Sequence, residues 1–156
     1  MPYTYYKYKD WKFEVDVPLN RQVYAGITDS GADSCPCDDC KNYVACRDQV
    51  FPAAIKELFD ALGIDFRKEV EITHYQTLEN GLHQIGGWFH FKGRIVSGKD
   101  YRKPSSDGNG YTLDLTAVTD NFDLGFAPGS ALSFFKEKDN LVQVEFMTSI
   151  PWVIGK

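Results

Sequence analysis

Hydrophobic and polar positions along the chain fall into blocks of two different periods. From Trp11 to Val17 the pattern alternates, with Trp11, Phe13, Val15 and Val17 on one side and Lys12, Glu14 and Asp16 on the other. Period two over that length predicts a half-buried strand, and Pro18 is its natural end. Val23–Ile27 is a second short strand candidate. The segment 28–39 follows as a loop, with Gly31, Pro36, four Asp and no basic residue.

The period then changes. Asp38 or Asp39 can cap a helix over about 40–50, because an Asx oxygen accepts a bond from the free amides of the first turn. Pro52 suits the start of a second helix, in which Ile55, Leu58, Phe59 and Leu62 recur at helical spacing and Gly63 is the stop. Lys56 and Asp60 stand four apart on its polar side and can pair.

Strands return after the helical pair, at 70–75, 87–96 and 111–118, the last two separated by the turn-rich KDYRKPSSDGNG. Segments 132–135 and 141–148 flank a hairpin turn at EKDN, and Pro151 stops the second. In 141–148, Val142, Val144 and Phe146 are expected to face the core, opposite Gln143 and Glu145. Strands gathered around one helical pair at about residues 40–62, without alternating βαβ units, predict an α+β fold with a largely antiparallel sheet. One globular domain over 1–156 is the expectation, since no linker or repeat interrupts the pattern.

Charge narrows the function classes. The net charge is -5, and acidic residues outnumber basic ones in each third of the chain. A duplex binder needs clustered Lys and Arg to neutralise phosphates, and a polybasic membrane surface needs the same, so neither nucleic acid nor membrane is an expected partner. Tyr3, Tyr5, Tyr6, Tyr8 and Trp11, interleaved with Lys7, Lys9 and Lys12, could stack bases, but an N-terminal edge strand accounts for them without a ligand. The opening residues have no apolar signal region and no stretch is apolar enough for a membrane helix, which points to a soluble, cytoplasmic chain.

The cysteines carry the sharpest chemical signal. Cys35, Cys37, Cys40 and Cys46 fall within 12 residues, and there are no others. Cys37 and Cys40 have the C-x-x-C spacing that lets two thiolates chelate one ion from a turn, and Cys35 adds a third sulfur. Cys46 lies about 120° round the helix from Cys40 and is expected to fill the core with Tyr43 and Val50. Three readings of Cys35, Cys37 and Cys40 stand side by side. One is a structural zinc completed by His74, His83, His90 or a loop Asp; the second is idle reduced thiols; the third is redox or nucleophilic chemistry. Asp33, Asp38 and Asp39 disfavour a bare thiolate, whereas a divalent cation turns the same carboxylates into an advantage.

A second feature is the strand in GLHQIGGWFHFKGRIV, where Trp88, His90, Lys92 and Arg94 share one face and Phe89, Phe91 and Ile95 the other. Trp, His, Lys and Arg in a row can bind an anionic or aromatic ligand; equally, they can be a covered face with His90 satisfied and the basic stems lying over Trp88. The SSDGNG turn lacks calcium-loop spacing, and no nucleophile-elbow, phosphate-loop, dinucleotide or H-E-x-x-H pattern occurs.

Together, CPCDDCKNYVACRDQVFP, GLHQIGGWFHFKGRI and VEFMTSIPWV resemble a group of bacterial proteins. That group shares a C-x-C-x-x-C loop running into a helix, a Gly-Gly-Trp-Phe-His-Phe strand and a Pro-Trp near the C-terminus. The resemblance covers roughly residues 11–154 and implies that the cysteine loop and the tryptophan strand belong to one small fold; it brings no activity with it. The residues point first to a non-enzymatic binding or interaction domain with a protein or small-molecule partner and one structural zinc. The rival is a thiol- or zinc-dependent enzyme using Cys37 and Cys40. An inhibitor acting through its acidic surface is compatible with the charge.

Overall fold

The computed structural model describes residues 3–155, which form a curled antiparallel sheet with helices on its inner face. Strand β1 (Tyr3–Tyr8) is the edge and pairs with β2 (Trp11–Asp16), followed by helices α1 (Val17–Ala25), α2 (Gly31–Ser34), α3 (Asp38–Val50) and α4 (Ala53–Leu62). Strands β3 (Glu71–Thr77) and β4 (His83–Ser97) form a hairpin. Next come a small two-stranded ribbon of β5 (Arg102–Pro104) and β6 (Tyr111–Leu113), then β7 (Thr116–Thr119), β8 (Phe122–Pro128) and β9 (Leu141–Ile150). The seven-stranded sheet runs β1-β2-β4-β9-β8-β7, with β3 also on β4. This is the α+β, largely antiparallel architecture expected from the pattern. No helix among the described residues is long and apolar enough to cross a membrane.

The curl follows from the aromatic positions. Phe13 on β2 and Phe126 on β8 have ring centroids 4.8 Å apart, although β4 and β9 lie between their strands. On a flat sheet three strand spacings would separate them by roughly 14 Å. Phe91 packs edge-on against Phe13, and Trp11 does the same against Phe126. Helices α3 and α4 fill the rest of the concave side. Phe51, in the link between them, touches the rings of Phe59, Phe66, Phe89, Phe122 and Phe146. In α4, Ile55, Leu58, Phe59 and Leu62 are all buried, as their spacing requires. Gly63 ends that helix at φ 87°, and its amide and that of Ile64 cap Asp60 and Phe59.

Strand β4 is long because it has two partners on one edge. Its first half pairs with β3 and its last residues with β2, leaving a gap at 89–92. Helix α1 plugs that gap with side chains. The Tyr24 hydroxyl accepts from the His90 amide at 3.2 Å and donates to the His90 carbonyl at 2.6 Å, while Asn20 Oδ1 accepts from the Lys92 amide at 2.7 Å. A buried strand edge without partners would cost about 1–3 kcal/mol per backbone group, and these two side chains remove that penalty.

Several local expectations are corrected. Segment 23–27 is not a strand: Val23 to Ala25 close α1, with Pro18 inside its first turn and Asp16 as cap. The buried hydrogen bonds of Tyr24 and Asn20 decide this over the β-branched composition. Helix α3 is capped by Cys37 rather than Asp38 or Asp39. Lys56 reaches the Asp48 carbonyl at 2.7 Å and the Phe66 ring instead of Asp60. The run 111–118 is broken at Asp114 and Leu115 and serves two different sheets. The partner of β9 on that side is β8, and 132–135 is irregular, because the intervening chain crosses the outer face of the sheet. Gln143 and Glu145 are buried as well as Val142, Val144 and Phe146, for the same reason.

Candidate metal centre at the cysteine loop

Cys35, Cys37 and Cys40 converge because two short helices meet at the loop that carries them. Ser30 and Asp33 form a reciprocal capping box on α2, so the chain leaves that helix at Cys35 in extended conformation. Gly31 lies so close to β3 that a Cβ there would collide with the Val70 carbonyl. Its amide donates to the Glu69 carbonyl at 2.9 Å. Beneath the loop, Arg47 of α3 donates to Glu69 at 3.3 Å and to Ser30 at 3.2 Å, and pairs with Asp33 at 3.3 Å. Glu69 also accepts from the Ala32 amide at 3.1 Å. Burial raises the Glu69 carboxyl, against the hydrogen bonds and the Arg47 charge that hold it down. One buried ion pair thus ties α2, α3 and the start of β3 together under the cysteines.

The three sulfurs lie within 4.8 Å of one another, and all four cysteines are free thiols. Cys35 and Cys37 Sγ are 3.2 Å apart, and the Cys40 amide donates to Cys37 Sγ at 3.4 Å. A sulfur at the N-terminus of a 13-residue helix receives both a free amide and the positive end of the helix dipole. Hydrogen bonding from the Cys37 backbone, then from the neighbouring thiols, lowers the Cys35 thiol below its ordinary range, with Asp39 opposing. Burial, reinforced by the other two sulfurs, pushes Cys40 up. Cys37 is exposed, Cys35 half-buried and Cys40 buried, so the cluster opens to solvent on one side. Cys46 points into the core, where burial raises its thiol.

The histidines named as possible fourth ligands separate. His90 is buried on the outer face of the sheet, away from the loop. His74 on β3 and His83 on β4 lie beside Asp39 in the first turn of α3: His74 Nε2 is 2.9 Å from His83 Nδ1 and 4.0 Å from Asp39 Oδ1. Trp152 packs on His83 at 4.9 Å between centroids. Buried Asn42 holds that C-terminal segment, donating to the Pro151 carbonyl at 3.0 Å and accepting from the Val153 amide at 2.7 Å. Three segments far apart in sequence therefore meet at one end of α3: the cysteine loop, the β3–β4 hairpin and Pro151–Trp152. The signal for this in the chain was weak, because His74 and His83 are nine residues apart with no ligand spacing between them.

The strand residues Trp88, His90, Lys92 and Arg94 are each engaged within the fold. Trp88 Nε1 donates to the Ala131 carbonyl at 3.0 Å, and Lys92 Nζ reaches the Asp139 carbonyl at 2.7 Å and its carboxylate at 3.3 Å. Arg94 forms a two-pronged pair with Glu14 at 2.7 and 2.9 Å. His90 Nε2 is 3.1 Å from Gln143 Oε1. Gln143 in turn donates to Tyr101 at 3.1 Å, and Tyr101 donates to Glu145 at 3.2 Å. Since that Gln143 oxygen can only accept, the His90 proton sits on Nε2, and Nδ1 is left buried without a partner. Burial lowers His90 to about 4 and raises Glu145 to about 7. Lys92 also borders an open cavity of about 750 Å³ between α1 and residues 134–137.

Comparison with protein-family models, with curated proteins and with solved structures returns no match for this chain.

Proposed function

We propose that this chain is a zinc-binding interaction domain in which the thiolates of Cys35, Cys37 and Cys40 hold one ion at the N-terminus of α3. The observation that carries the reading is the convergence of three sulfurs within 4.8 Å on a loop braced from below by the Arg47–Glu69 pair. Soft sulfur donors select zinc or another thiophilic ion over calcium or magnesium. With zinc–sulfur distances near 2.3 Å, tetrahedral thiolates sit about 3.8 Å apart, so the 3.2 Å pair needs to open by roughly half an ångström. Three thiolates around one divalent ion carry a net negative charge, which the helix N-terminus and the Cys40 amide favour. The fourth position faces solvent at Cys37, open to water or to a donor from a partner.

A metal in this position rigidifies the loop and so shapes the surface that a partner meets. The core of this chain is large enough to fold without it, so the ion acts on the loop rather than on the whole fold. A second reading, small-molecule binding at the Trp88–Arg94 strand, is supported by Lys92 alone, which borders the 750 Å³ cavity beside apolar Leu19, Val23 and Phe135.

Metal content by mass spectrometry on protein purified without chelator, together with a count of reactive thiols, tests the zinc reading. About one zinc per chain is expected, with three thiols protected until the metal is stripped and Cys46 slow throughout. Metal-free protein whose three loop thiols react at once, and which takes up no zinc when offered it, overturns it.

A further inference from the structure

Asp39, His74 and His83 are absorbed by no part of the thiolate site, yet their donor atoms all lie within 4.8 Å of one another. We propose that they form a second metal site, with two imidazole nitrogens and one carboxylate, for a first-row divalent ion such as zinc, cobalt or nickel. The site differs from the thiolate site in its donors and takes two of its three ligands from the β3–β4 hairpin, sharing only the first turn of α3.

The three donor atoms gather into one ligand-sized space. His74 and His83 sit diagonally on the inner face of the β3–β4 hairpin, with a register irregularity between His74 and Gln76 bringing Thr77 opposite His83. Irregularities of this kind re-aim side chains near functional sites. The two ring nitrogens stand 2.9 Å apart, sharing a hydrogen bond whose proton a metal ion would displace. Imidazole binds zinc at about 2.0–2.1 Å, so two such ligands on one ion are separated by about 3.0 Å at a right angle and about 3.4 Å at a tetrahedral angle. The observed pair needs only a few tenths of an ångström. Asp39 Oδ1 closes the triangle, 4.0 Å from His74 Nε2.

Preorganisation and access complete the argument. Each donor stands on a regular element, and His83 is fixed from behind by Trp152, which Asn42 anchors through the backbone on either side. Sites held by packed elements keep their geometry better than sites on loops. The side chains of His74 and Asp39 are 23% and 44% exposed, so an ion can enter and keep water or an oxygen ligand in its remaining positions. The chain has three histidines, two of which meet here while the third is sealed in the other face. Borderline nitrogen and hard oxygen donors suit the same divalent ions that imidazole sites take generally, and they leave thiophilic monovalent copper to the cysteines.

Cobalt(II) titration of the metal-free chain separates the two sites, because thiolate ligands add intense charge transfer in the near ultraviolet and nitrogen–oxygen ligands give only weak visible bands. Two equivalents are expected, one with the charge-transfer band and one without. His83→Ala should lose the second equivalent and keep the first, and Asp39→Asn, at an exposed position, should weaken the second at least tenfold with an unchanged near-ultraviolet circular dichroism spectrum. The proposal is overturned if the wild-type chain takes up no ion outside the charge-transfer band, or if a second equivalent survives both variants unchanged. It is equally overturned if His83→Ala abolishes the thiolate band in a folded protein, since the histidine would then belong to the cysteine centre. Absence of the thiolate band alone would count against the zinc reading above and leave this one to be judged on the visible bands.

Discussion

His83 and His90 stand seven residues apart on one strand and have opposite fates. His83 faces the inner side of the sheet at its rim, where α3 begins and the layer opens; its ring meets His74, and Asp39 lies beside them. His90 faces the outer side, where Tyr101 and residues 129–137 close over it, and its side chain is consumed by Gln143. The same residue type becomes a metal-ligand candidate in one place and a buried structural group in the other. What separates them is whether solvent, and with it an ion, can reach the ring.

The largest test of that contrast is the support beneath the open end. Arg47→Ala leaves Glu69 buried without its cation, and breaking a buried pair costs about 3–5 kcal/mol. Urea denaturation should show a loss of that size, and labelling of Cys35 and Cys37 should accelerate as α2 loosens. An unchanged midpoint would mean that the loop holds itself together without the ion pair.

The closed end is tested by pH. His90 titrates at about 4 in the fold against an ordinary 6.5, so the unfolded chain binds more protons between those values and stability rises with pH across them. Glu145, at about 7 against 4.5, binds more protons in the fold, so stability falls as pH rises through that window. Each contribution is on the order of 3 kcal/mol, and between 4.5 and 6.5 they offset. Glu145→Gln removes the falling arm. From His90 its stability should gain roughly 3 kcal/mol between pH 4 and 6.5, a gain that Glu145 offsets in the wild-type chain. A variant profile parallel to that of the wild type would show that His90 is not sealed from protons.

The smallest effect belongs to the cover over the strand. Trp88→Phe keeps most of the ring area and deletes the bond to the Ala131 carbonyl, a loss of about 1 kcal/mol. Hydrogen exchange in 130–135 should quicken in the same variant. If both stay as they were, the cover is held by its apolar contacts alone.

Much of the architecture is legible along the chain wherever period and caps agree. The strand at Trp11, the helix with Ile55, Leu58, Phe59 and Leu62 and the glycine stop at Gly63 all follow from side-chain spacing, because each element buries one face against the same core. The misreadings share a cause. In 23–27, Tyr24 is helical because its hydroxyl satisfies a strand edge sixty-six residues away, a reward that local propensity does not contain. Gln143 and Glu145 alternate with apolar residues as a solvent-facing row would, yet a distant loop covers them.

The same division holds for the chemistry. Spacing alone determined that Cys35, Cys37 and Cys40 could share an ion, since residues two and three apart on a turn reach one point whatever the rest of the chain does. Helical spacing likewise set Cys46 apart in the core, where it lies; only the tertiary structure decided that Cys37 itself caps the helix. It alone brought Asp39, His74 and His83 together as well, with Trp152 packed on His83. Those groups come from a helix end, two strands and the C-terminal segment, and the order in which strands pair and helices lie across them is set by global packing, to which no local pattern has access.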